Sequence, residues 1–100
     1  MASGSRVLVT GGAGFIGRRV VRALLAEGHE VTVADLRAFP DREVRSVVGD
    51  LCDPDGPARA VRPGTDAIIH LAAFTYVVAS VADPVSTYRL NTDATARLLE

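Results

Sequence analysis

Thr10-Gly11-Gly12-Ala13-Gly14-Phe15-Ile16-Gly17 follows an apolar run, Val7-Leu8-Val9, and opens an apolar-periodic segment that begins at Phe15. Strand, glycine turn and helix in that order turn a glycine pattern into a phosphate-binding expectation. Gly11 permits the tight turn off the strand. Gly14 lets backbone approach a pyrophosphate with no Cβ between them, and Gly17 lets the helix lie close on the strand. The unpaired N–H groups of the first helical turn then point at the phosphates, helped by the helix dipole. The spacing reads as Gly12-x-Gly14-x-x-Gly17 or as Gly11-x-x-Gly14-x-x-Gly17. The alternative is a set of glycines that serve only the turn. The flanking pattern favours a dinucleotide.

Working outward, Arg6 to Thr10 is expected to be a first strand, apolar because a central parallel strand is covered on both faces. Phe15 to about Glu27 is expected to be a helix. Ile16, Val20 and Leu24 recur four apart and Val21 and Leu25 broaden the stripe, while Arg18, Arg19 and Arg22 stay outside. Gly28 stops the helix, and His29 is expected to be a solvated turn residue. Glu30 to Asp35 forms a second strand, with Val31 and Val33 on one face. Asp35, at the strand end, is placed to accept both ribose hydroxyls of an adenosine and to repel a 2′-phosphate, which argues for NAD over NADP. Arg37 complicates this reading, since it could pair with a 2′-phosphate, stack on adenine or stand in solvent.

Ala38 to Arg42 reads as loop, Val44 to Val48 as a short third strand, and Asp53 to Pro57 as turn-rich. Ala58 to Val61 has room for one helical turn. Asp66 to Leu71 gives a fourth apolar strand, and the small-residue turn Ala72-Ala73 would face the ligand. Asp83-Pro84 marks a helix start, and Leu90, Ala94 and Leu98 continue its spacing. Four strands alternating with helices predict an α/β parallel sheet in the order 3-2-1-4 with helices on both faces. The ligand would sit where the winding reverses, between strands one and four.

A 100-residue chain with 48% apolar residues suffices for one small domain. A formal charge of −1 gives no footprint for nucleic acid or an anionic membrane. The longest apolar runs fall far short of the ~20 residues a membrane span needs. The small, polar start, Met1 to Arg6, does not read as a secretory signal. Cys52 is the single cysteine, which excludes an internal disulfide and fits a reducing cytoplasm. The chain has 11 Arg and no Lys.

Taken together, the glycine stretch, Asp35-Leu36-Arg37, Gly49-Asp50-Leu51, His70-Leu71-Ala72-Ala73, and Ser80-x-x-Asp83-Pro84 leading to Asn91-Thr92-Asp93-Ala94-Thr95 carry a likeness. In that order and spacing they resemble the extended short-chain dehydrogenase/reductases, within them the NAD-dependent nucleotide-sugar epimerase/dehydratase family. The resemblance runs from Arg6 to Glu100 and implies a Rossmann-type fold. It implies that Phe15 and Ile16 offer backbone N–H groups to the pyrophosphate and that Asp35 holds the ribose. Asp50 and Leu51 would meet the adenine, and Leu71, Ala72 and Ala73 would line the nicotinamide side. Asn91 would be the supporting helix asparagine. Leu36 and Arg37 belong to the same cofactor-binding set through their motif. The bland alternatives are a turn carboxylate for Asp50, a backbone-bonding amide for Asn91, a packed strand-end residue for His70 and an inert thiol for Cys52. Ala94 stands where the family usually has Gly.

The family's chemistry depends on a Tyr-x-x-x-Lys pair, in which Lys lowers the pKa of the Tyr that takes the substrate proton. With no Lys, neither Tyr76 nor Tyr88 completes that pair. The expectation is the NAD-binding part of a nucleotide-sugar enzyme, catalytically incomplete alone and cut after the fourth strand and its helix. A nucleotide-sugar substrate is expected only in a complete enzyme. An open edge on the fourth strand would invite self-association or a C-terminal partner half. The alternative is a stand-alone dinucleotide-sensing module without catalysis.

Overall fold

The computed structural model describes residues 4–72 and 94–99. Strands β1 (Arg6–Thr10), β2 (Glu30–Asp35), β3 (Arg45–Val48) and β4 (Ala67–His70) form one parallel sheet in the order β3-β2-β1-β4. Helix α1 (Phe15–Ala26) joins β1 to β2, and α2 (Gly56–Ala60) joins β3 to β4. A last short helix, α3, covers Ala94–Leu98. The order places β1 centrally, and Val7, Leu8, Val9 and Thr10 are all buried.

Alternation along the strands sorts the core into two layers. Val7, Val9, Val31 and Val33 pack with Val21, Leu24 and Leu25 of α1, together with Phe39 and Val44. On the opposite face Leu8 and Ala34 pack with Leu51, Ala60 of α2 and Leu98 of α3. Helices therefore cover both faces. The fold expected from the glycine turn and the strand spacing is the fold observed.

Several boundaries and burials differ from expectation. Strand β3 begins at Arg45, because Val44 bonds back to Asp41 in a turn and enters the core from there. Helix α2 starts at Gly56, inside the stretch read as turn; Pro57 fits its first turn, where a missing N–H leaves no helical bond unmade. Strand β4 is shorter by a residue at each end than Asp66 to Leu71. Along α1 the buried line is Gly17 and Val21, flanked by Leu24 and Leu25. Ile16 is 65% exposed, although it continues the apolar stripe, and in the first turn Gly17 alone is buried. His29 is buried, not solvated, and its backbone N–H bonds Leu24 O at 3.1 Å at the C-terminal end of α1. Its Nδ1 has no hydrogen-bond partner among the described residues.

Candidate functional site

The C-terminal ends of β1, β2 and β4 open on one crevice. Gly11 turns the chain off β1 with φ +69°, a conformation glycine adopts without strain. Its backbone lies so close to β4 that an added Cβ would sit 2.8 Å from Ala72 N. Gly17 packs its Cα face on the same turn, where a Cβ would come within 2.6 Å of Gly12 Cα. Gly12 is pressed on Val33 and Val21. Gly12 and Gly17 thus serve packing, and Gly14 faces the crevice.

Gly14 is the N-cap of α1 and offers no side-chain cap, and the first turn carries no acidic residue. The first helical bond runs from Arg18 N–H to Gly14 O at 3.0 Å. The N–H groups of Phe15, Ile16 and Gly17 therefore precede any intrahelical acceptor and stand at the positive end of the helix dipole. An anion is the natural partner for such a terminus.

Asp35, ending β2, ties the loop in place. Its Oδ2 accepts the Ala13 N–H at 3.1 Å and its Oδ1 accepts the Arg37 N–H at 3.2 Å. Each oxygen keeps a second lone pair for a ligand hydroxyl. Asp50 is exposed and its Oδ1 accepts the Cys52 N–H at 2.8 Å, so the turn role weighed for it is present. The crevice, about 270 Å³, is lined by Gly11, Gly14, Asp35, Leu36, Asp50, Leu51 and Ala72, with Ala34 and Gly49.

Of the residues singled out in the sequence, seven thus share one cavity wall. Phe15 and Arg37 face an adjoining hollow instead, Ile16 is exposed, and Gly17 is buried beneath the loop. Leu71 stands partly exposed beside the mouth, its N–H bonded to Thr10 O at 3.0 Å. Ala73 and Asn91 lie outside the described residues, as do Tyr76 and Tyr88. Ala34 escaped the sequence reading, although alternation from Val33 would have turned it toward the Leu51 side.

The sequence reading also passed over the pairing of Thr10 with His70. These residues are in register at the ends of β1 and β4. Thr10 Oγ1 lies 2.5 Å from His70 Nδ1 and accepts the Ala72 N–H at 3.3 Å. The direction of the Thr10–His70 bond follows the imidazole tautomer, and His70 Nε2 is buried without a hydrogen-bond partner among the described residues. Burial pushes the His70 pKa down from its ordinary value of 6.5. His70 is thus the packed strand-end residue anticipated, and it fastens the wall that carries Ala72. Among the described residues no group of three His, Cys, Asp or Glu could hold a metal ion, and no helix is long and apolar enough to cross a membrane.

Comparison with known proteins adds to this geometry. A family model described as "NAD dependent epimerase/dehydratase family" matches residues 7–100. The dTDP-glucose 4,6-dehydratase of Streptomyces niveus is 41% identical over 95% of the chain and 33% of its own length. A 3 beta-hydroxysteroid dehydrogenase/Delta 5-->4-isomerase of Mycobacterium tuberculosis is 43% identical over 94% of the chain and 27% of its own length. The crystal structure of Thermus thermophilus UDP-glucose 4-epimerase in complex with NAD superposes with a TM-score of 0.79, at 44% identity, over 94% of this chain and 32% of that one. The chain spans between about a quarter and a third of the length of these relatives.

Proposed function

Because the chain belongs to the NAD dependent epimerase/dehydratase family, we propose that it is the NAD-binding part of a nucleotide-sugar epimerase or dehydratase. The observation that carries this is the uncapped N-terminus of α1 opening on a crevice whose rim bears Asp35. The Phe15 and Ile16 N–H groups would hold the pyrophosphate, and the free lone pairs of Asp35 would hold the adenosine ribose. Leu36 and Leu51 would enclose the adenine, with Asp50 accepting from its exocyclic amine. Leu71, Ala72 and Ala73 would border the nicotinamide, and Asn91 would support the active site.

When bound, the nicotinamide supplies hydride acceptance from a sugar carbon. The chain's own residues bind and orient; they do not complete the proton transfer, because none of them is a lysine. That step, and the choice among sugar and other substrates, would belong to a complete enzyme. The spread of the relatives, from a sugar dehydratase to a steroid dehydrogenase, fits a shared cofactor region with substrate recognition placed elsewhere.

Titration of the chain with NADH, followed by nicotinamide fluorescence, tests the reading. Saturable binding is expected. Asp35→Asn, which keeps an acceptor for the Ala13 N–H but loses the charge, should weaken it about tenfold. A folded chain that leaves NADH free at about 1 mM would sink the proposal. With NAD and a UDP-sugar the chain alone should show no turnover.

A further inference from the structure

The turn at residues 50–56 brings Asp50 and Leu51 to the rim of the crevice and is closed on itself by short backbone ties. Asp50 O accepts the Asp53 N–H at 3.1 Å, and Asp53 O accepts the Gly56 N–H at 2.9 Å. Asp50 Oδ1 accepts the Cys52 N–H at 2.8 Å. The packing leaves little slack, since a Cβ on Gly56 would stand 2.5 Å from Asp50 O. Such a turn moves as one piece, so a pull on Asp53 or Pro54 is felt at Asp50. Two arginines grip it. Arg59, in α2, faces the Asp53 and Asp55 carboxylates at 3.7 and 3.5 Å. Those pairs are exposed and contribute little, and they join the turn only to the helix it leads into. Arg97 reaches it from α3, 44 positions along the chain from Asp53. Its Nη1 donates to Asp53 O at 3.3 Å and its Nη2 donates to Pro54 O. The next residue, Leu98, shares a core layer with Leu51.

We propose that Arg97 is a positioning residue for the adenine end of the crevice: by holding two successive carbonyls of the turn, its guanidinium sets where the Asp50 carboxylate stands against a bound base. The inference rests on the dinucleotide reading above. It adds control by α3, an element that lines no part of the crevice among the described residues. A planar fork of donors suits the task, because it fixes the orientation of the backbone it holds as well as its distance, where a single ammonium fixes distance alone. Asp50 needs such support. One of its oxygens holds the Cys52 N–H, and the residue is otherwise exposed. A hydrogen bond weakens steeply as it bends. Release of the turn therefore lowers selectivity for the adenine amine before it unseats the nucleotide, whose pyrophosphate and ribose would be held from α1 and β2.

Paired titrations with NADH and with its deamino analogue, in which hypoxanthine replaces adenine, test this through the same nicotinamide fluorescence. The analogue presents an oxo group where adenine has its amine, so Asp50 should favour NADH, by about tenfold for a bond to a charged acceptor. Arg97→Ala should lower that preference about threefold or more. Arg97→Lys, which can still reach one carbonyl, should restore part of it. Asp50→Ala should abolish the preference, and on that background Arg97→Ala should move the ratio no further. A purely structural role gives a different result: both nucleotides weaken alike and the ratio stays. That result overturns the proposal and leaves the NAD reading standing, as does a parent chain that binds the two nucleotides equally. Where Arg97→Ala fails to fold, Arg97→Gln, which loses the charge and the fork, takes its place and is held to the same ratio. A parent chain that binds neither nucleotide removes both readings together.

Discussion

Thr10 and His70 illustrate how one buried contact serves a site it does not touch. The Thr10 hydroxyl is fully buried and joins the imidazole to the Ala72 N–H, fixing the peptide that forms one wall of the crevice. An imidazolium would leave its charge half-buried. Since burial lowers the His70 pKa in the folded chain, stability from this pair is complete above the unfolded value of 6.5 and is lost as pH falls through the lower folded value. Thermal melts between about pH 7.5 and 4.5 should show that loss, and His70→Asn should flatten it; an unchanged acid slope in the variant would remove the assignment. At this scale the sequence displayed Asp35 clearly, because a strand-terminal acid after a glycine turn has a specific chemistry. It concealed the burial of His29, since a histidine after a helix-stopping glycine carries no local sign of which way the ring folds. The Thr10–His70 pair depended on register, which links residues 60 positions apart.

Helix α1 carries the element-scale argument. Its seat on β1 is possible because Gly17 brings helix backbone against the Gly11–Gly12 turn, leaving no volume for a side chain. Gly17→Ala should therefore destabilise the fold by about 1–3 kcal/mol or more, read as a drop in the urea midpoint, although alanine is the better helix former. Gly28→Ala is the contrast. Its Cβ would meet open space, so the penalty there comes from φ +84° alone. A Gly17→Ala variant as stable as the parent would show that α1 can lift without loss. The helices and strands themselves were largely legible, because periods of two and of 3.6 alternate cleanly between glycine and proline breaks. The exposure of Ile16 was not: the apolar stripe continues into the first turn, but the buried line there runs through Gly17. What Ile16 and Phe15 leave uncovered is the uncapped N-terminal end of the helix, the proposed seat of the pyrophosphate.

For the molecule as a whole, the two covered faces hold a sheet whose centre is β1 and whose outer strands differ. Strand β3 ends in an exposed Val48, whereas every residue of β4 is half-buried despite its apolar sequence. Among the described residues β4 pairs only with β1. Its outer edge is the place where a further strand, from a second copy or a C-terminal partner half, would pair. The chain alone should scatter light as an oligomer at roughly tens of micromolar, and a monodisperse monomer there would count against that pairing. The strand order was readable because right-handed crossovers leave few choices once β2 and β3 lie on one side of β1 and β4 on the other. The two-cavity arrangement around Asp35 was not, since it depends on backbone N–H groups that no side-chain pattern encodes. The close approach of Gly11 to Ala72 has a mechanical result. The glycine loop and the Ala72 wall are locked to each other, so the cleft has no hinge on that flank. Any breathing that admits or releases a nucleotide must come from the opposite bank, where Leu36 and Asp50 are exposed.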